Sequence, residues 1–192
     1  MAKLPIDVQN SLKKQAPKFL KRDFKKEFKN NFDNVKKDMI KEFLTHPVTV
    51  EILSGPNASN ISGTLGGQSN LFGFIGFNSG EDPIKPILEI LEQISFKESG
   101  EANIGIVYTV DIPEADDIFL VTPMPWATGR SWAKGIESGI SGLGRLLNKS
   151  NASSRSGVAI QVKNKVRGGK FENTPYISAL IKKYKKKFSE LS

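Results

Sequence analysis

The side chains able to carry covalent or acid–base chemistry are few. The sequence has no cysteine and one histidine, His46. That removes disulfides, thiolate nucleophiles and Cys-ligated zinc, and it removes any multi-histidine metal site. His46 is the one imidazole left for general-base work. It precedes Pro47 where a helix must end, so a junction role is the simpler reading. Asp111, Glu114, Asp116 and Asp117 gather four carboxylates at a turn. Oxygen clusters of this kind hold Mg²⁺ or Ca²⁺, but the spacing does not follow a calcium loop and Pro113 favours a solvated hairpin tip. Gly139, Gly142 and Gly144 lie in GISGLG, the reverse of a dinucleotide fingerprint and without a strand before it. Gly168-Gly169-Lys170 lacks the hydroxyl residue of a phosphate loop. No catalytic residue, metal or cofactor is expected, and no enzyme activity.

Recognition chemistry is better represented. Trp126, Arg130 and Trp132 fall within seven residues, and Trp and Arg are enriched where binding energy concentrates. LFGFIGF places Phe72, Phe74 and Phe77 around two glycines. The formal charge is +8, from 28 basic and 20 acidic groups. Its distribution matters more than its sum: residues 1–44 carry net +6, residues 45–159 net −5 and residues 160–192 net +7. Lys163, Lys165, Arg167, Lys182, Lys183 and Lys186 are the candidates for contact with DNA phosphates, through a salt-sensitive term, or with an acidic protein surface. Basic ends against an acidic middle would set register between copies of the chain.

These groups must be positioned by elements that the apolar pattern outlines. Leu20, Phe24, Phe28, Phe32, Val35, Met39 and Phe43 repeat at steps of three and four, which predicts one helix from about Pro17 to Leu44. At 1.5 Å per residue it is about 40 Å long, so part of it is expected to project. Val48–Ile52 alternates like a strand. Residues 54–70 hold little but Gly, Ser and Asn and read as a long loop. Leu71–Phe77 reads as a strand or an inserted turn. Asp82-Pro83 starts a second helix with Ile84, Ile87, Leu88, Leu91 and Ile94 inward. Strands are predicted at Ala102–Ile112, Ile118–Thr122 and Val158–Val162. Further helices are predicted at Trp132–Leu147 and from Asn173 to the basic C-terminus. The fold class is α+β: a long N-terminal helix, a small antiparallel sheet of about four or five strands with packed helices, and a basic C-terminal helix. Residues 1–44 form a basic helical segment and 45–192 the α+β core, together one domain.

HPVTVEILSGPNASNISGTLGG, NLFGFIGF with GEDPIKPILEIL, TPMPWATGRSWAKGIESGISGLGRLL, SRSGVAIQV and PYISALI together resemble the tail-completion or neck proteins of contractile-tailed bacteriophages. The blocks Pro123–Leu147 and Ser154-Arg155-Ser156-Gly157 are the most specific. The resemblance implies a virion structural subunit at the head–tail joint, with no catalytic residues. It implies a ring without fixing the subunit count, for which a hexamer is favoured over a dodecamer. That ring would stack on the neck or connector and on the tail tube or tail terminator, around a lumen for genomic DNA bound without sequence preference. Phe72, Phe74, Phe77, Trp126, Arg130, Trp132 and Arg155 are the residues expected at subunit contacts. No window approaches the ~20 apolar residues of a membrane span, and MAKLPIDVQN has no signal-like apolar run. Assembly is therefore expected in the host bacterial cytoplasm, with no membrane partner. The competing reading is a basic nucleic-acid-binding module built on the lysine-rich termini.

Overall fold

The apolar steps of three and four produce the dominant element, helix α1 at Ile6–Thr45. The structure, a computed structural model, describes residues 6–65, 70–102, 105–125, 127–138, 147–148, 160–161 and 174–191, with side chains described for residues 21–65, 70–100, 106–125, 129–138 and 174–191. Helix α1 starts eleven residues before the predicted boundary and runs through Pro17. Proline's φ is helical, so it can sit inside a helix at the loss of one hydrogen bond. At 1.5 Å per residue, the forty residues span about 60 Å.

Two segments before residue 80 with strand-like patterns are helices. Helix α2 spans Pro47–Leu53, with Pro47 in its first turn and the His46 ring nitrogen Nδ1 accepting from the Val48 N–H at 3.3 Å. Val48, Thr49, Glu51 and Ile52 are all buried. The alternation of β-branched residues misleads because the segment is covered on several sides, which suits a buried helix as well as a strand. After a 3₁₀ turn at Gly55–Asn57, helix α3 spans Leu71–Ile75, capped by Asn70 and closed by Gly76 at φ 94°. Thus LFGFIGF is a helical turn, with Gly76 supplying the left-handed C-terminal residue.

Helix α4, Lys85–Glu92, buries Ile87 and Leu91. Asp82 Oδ1 accepts from the Ile84 and Lys85 N–H groups at its start. Strands β1, Ser95–Ala102, and β2, Gly105–Asp111, form an antiparallel hairpin with a bulge between Glu98 and Gly100. Helix α5 spans Ala115–Leu120, where the pattern predicts a strand at Ile118–Thr122 and a hairpin tip at the acids before it. Asp117 Oδ2 accepts from the Glu114 N–H at 2.8 Å. The acids therefore open a helix, where negative charge is favoured. Strands β3, Pro123–Met124, and β4, Ala127–Ser131, make a second antiparallel pair leading into helix α6 at Trp132–Ser138. Strands β5, Leu147–Asn148, and β6, Ile160–Gln161, pair in the same sense. Helix α7, Ile177–Ser189, carries the C-terminal lysines.

The class is α+β, and the antiparallel strands of the described residues are divided among three two-stranded ladders. One continuous core joins the helices. In it Phe28 stacks on Tyr108 at 4.0 Å between ring centroids, Phe32 contacts Phe96 at 4.8 Å and Phe188 at 5.3 Å. This aromatic column ties the β1–β2 hairpin and α7 to the same face of α1. Lys36 Nζ donates to the Glu92 and Ile94 carbonyls at 2.6 and 2.9 Å, meeting the negative end of α4.

Candidate interaction surfaces

Helix α1 divides into two stretches. From Phe28 onward its stripe is buried: Phe28, Phe32, Met39 and Phe43 are core residues and Val35 packs against them. Residues 21–27 are all exposed, and Phe24, on the same stripe, is 59% exposed. Lys25 lies 3.9 Å from Glu98 of β1. The N-terminal stretch thus runs beyond the packed body as a basic, Phe-bearing rod.

The C-terminal lysines are not one uniform patch. Lys183 Nζ donates to both oxygens of Glu42 at 2.7 Å, and the Tyr184 hydroxyl donates to Glu42 Oε2 at 2.9 Å. Lys183 hydrogen bonding holds the Glu42 carboxyl below its ordinary value, working against desolvation. Burial, followed by the hydrogen bond to Glu42, pushes the Tyr184 phenol well up. Lys187 lies over the Tyr184 ring at 4.6 Å. Lys185 pairs with Glu114. The C-terminal helix, held by its buried apolar face, thus also pairs its charges with α1 and the start of α5, and Lys183 is engaged inside the subunit. Lys182 and Lys186 remain exposed one turn apart, and Lys186 sits 3.8 Å from Glu190. Lys163, Lys165 and Arg167 lie outside the described residues.

The aromatic candidates fall mostly in the interior. Phe72, Phe77 and Trp132 are buried, at 3, 5 and 1% exposure. Phe72 contacts Phe77 at 5.4 Å, and the Phe77 ring meets Trp132 edge-on at 5.8 Å. Trp132 continues to Tyr176, whose ring also meets Phe43 and His46. The Tyr176 hydroxyl shares a 2.8 Å hydrogen bond with Thr49, and its pKa is raised chiefly by burial. These residues serve the subunit's own core, joining α2, α3, α6 and α7. Phe74 is half-buried and Arg130 is exposed. Trp126 and Arg155 lie outside the described residues.

His46 sits against this cluster. Its Nδ1 caps α2, and its ring bonds the Pro175 backbone. Desolvation lowers its pKa, outweighing the Pro175 bond and the Glu42 charge. It is a bonded junction residue. Among the described residues, no group of three or more His, Cys, Asp or Glu side chains could hold a metal ion, and no helix is long and apolar enough to cross a membrane.

The loop of residues 54–70 has packing that its composition conceals. Thr64 and Leu65 are buried. Asn70 Nδ2 donates to the Pro56 and Ala58 carbonyls, while its Oδ1 accepts from the Gly73 N–H. The fully buried Glu51 accepts at 2.7 Å from the Ser62 N–H through Oε2 and from the Leu71 N–H through Oε1. One carboxyl group thus clasps the loop to α3. The residue pattern does not single out Glu51, the exposed Leu120 or the Glu42–Tyr184 bond. A lone acid within an apolar run, Val48–Ile52, is the available signal for the first.

Helix α5 presents the other notable surface. Leu120 is 80% exposed. Asp116, one turn before it, is also exposed and lies 3.9 Å from Lys134. Lys134 in turn lies over the Phe119 ring at 5.6 Å. Comparison with known proteins returns no matching sequence family, no similar curated protein and no similar solved structure.

Proposed function

We propose that this chain is a non-enzymatic, ring-forming subunit of a phage head–tail joint, linking connector and tail around the DNA channel. The observation that carries the proposal is the exposed run 21–27 of α1 with Phe24 at 59% exposure. This basic stretch of α1 leaves an apolar side chain of its stripe uncovered by its own chain, and a ring neighbour would cover it. The resemblance of the sequence blocks to neck proteins favours another ring subunit as that neighbour, with the connector above and the tail below. The alternation of basic ends and acidic middle suits a repeated contact between unlike faces, which closes into a ring when the rotation permits. Assembly would take place in the host cytoplasm before incorporation into the virion.

The test is particle imaging together with mass in solution. The expected result is a closed ring whose mass is a multiple of 21.2 kDa, six copies before twelve, formed alone or on addition of a neck preparation. A chain that stays monomeric and fails to join connector or tail would end the proposal.

A nucleic-acid-binding role draws on a separate observation, the exposed Lys182 and Lys186 one turn apart on α7. It calls for retardation of duplex DNA at low salt, abolished as salt rises. Replacing both lysines with alanine should then reduce the salt slope by about 0.9 for each phosphate that is no longer neutralised.

A further inference from the structure

We propose that the Phe24 face of α1 docks on the Leu120 face of α5 in a second copy of this chain, head to tail. Leu120 and Phe24 are the two most exposed large apolar side chains among the described residues, at 80 and 59%. Both are exposed within one chain, so they do not cover each other there. Their charged surroundings differ in balance. Around Phe24 the exposed Lys21, Arg22, Lys25 and Lys26 outnumber the exposed Asp23 and Glu27, with Lys25 3.9 Å from Glu98. Asp116 and Asp117 lie four and three residues before Leu120, and both are exposed as well. One Asp117 oxygen caps the start of α5, and Asp116 has only the 3.9 Å approach of Lys134.

An apolar knob with a basic flank therefore fits an apolar knob with an acidic flank. The attraction aligns the two, and the desolvated Phe–Leu contact holds them. The two faces are different surfaces, so the contact is heterologous and leaves one face of each kind open at every step. It propagates until a ring closes. This deepens the ring proposal and rests on it only for closure; the pairwise contact can be tested without a ring.

The experiment uses the full chain in sedimentation velocity over a concentration series, with Phe24→Ser and Leu120→Ser. Both replaced side chains are exposed, and unchanged circular-dichroism melts verify that the variants fold. The wild type should assemble, and each variant alone should drop to the 21.2 kDa monomer. An equimolar mixture of the two variants should give a one-to-one dimer and stop there, because one productive face pair survives. Lys25→Glu should weaken assembly, and Asp116→Lys in the facing copy should restore it. Assembly that persists in both variants would overturn this contact while leaving a ring intact. Loss in Phe24→Ser alone would point to a Phe24–Phe24 contact and overturn it too. A wild type that gains mass only with duplex DNA, or only with another neck protein, would assign the face to that occupant instead.

Discussion

The two stretches of α1 share a sequence pattern and differ in everything that pattern is supposed to decide. From Phe28 to Phe43 the stripe is buried against the hairpin, α4 and α7. From Lys21 to Glu27 the same spacing faces water. Periodicity thus records which side of a helix is apolar, not whether the chain itself supplies the surface that covers it. In the first stretch the partner is intramolecular. In the second, an exposed Phe24 is left for something else to cover.

Substitutions along the stripe put this contrast to its strongest test. Phe32→Ala should destabilise the subunit by about 3–5 kcal/mol, since it removes a ring held between Phe96 and Phe188. For a chain of this size that lowers the melting temperature by on the order of 10 °C, readable by calorimetry. Phe24→Ala should change the melt by under about 0.5 kcal/mol, as surface substitutions do. Equal effects at the two positions would erase the distinction.

Glu51→Ala is expected to cost about 2–4 kcal/mol, because two N–H groups lose their acceptor. Glu51→Gln, which keeps one acceptor oxygen, should cost less. Amide exchange should accelerate at Ser62 and Leu71 in both, while the 21–27 stretch stays as it was.

Acid should act on the anchored stretch in two windows. His46 has a lowered pKa in the folded chain, so folding favours its neutral form. Its contribution is complete above the ordinary value of 6.5 and is lost as pH falls from there through the folded value. Glu42, also lowered, loses its contribution as pH falls below 4.5. His46→Asn should flatten the first window of a stability-versus-pH curve and leave the second. Lys183→Met should cost about 0.5–1 kcal/mol, as for a part-exposed pair. Raised salt should shrink the difference from wild type.

The sequence makes the amphipathic helices legible and leaves the short elements ambiguous. Helices α4 and α7 announce themselves because apolar residues at steps of three and four alternate with charges. Helix α2 cannot be told from a strand, since its run is apolar with one acid and every period fits. Helix α5 is hidden behind Pro113, although Asp117, which caps Glu114, sits at the offset of a capping box. Strand β1, SFKESGEA, escapes notice because it is mostly exposed and charged, with Phe96 its one core-facing anchor. Residue type marks Phe72, Phe77 and Trp132 as recognition candidates, yet the same property, a large apolar surface, makes them core. Only the fold decides which side of the boundary a large aromatic takes. It also decides that Lys183, one of five near-identical lysines, meets Glu42, 141 residues away.

The long hydrogen-bonded path of α1 has a mechanical consequence. From Lys18 to Thr45 it contains neither glycine nor proline, the residues at which helices bend most readily. A sideways load applied near Phe24 is therefore carried as torque on a short lever, with the Tyr108–Phe28–Phe96–Phe32 column as its fulcrum. The Lys36 contacts to the end of α4 and the Glu42 contacts to α7 lie on the far arm. A load applied farther out, between Ile6 and Ala16, would instead reach the packed body through Pro17, which has no N–H to donate to the helix.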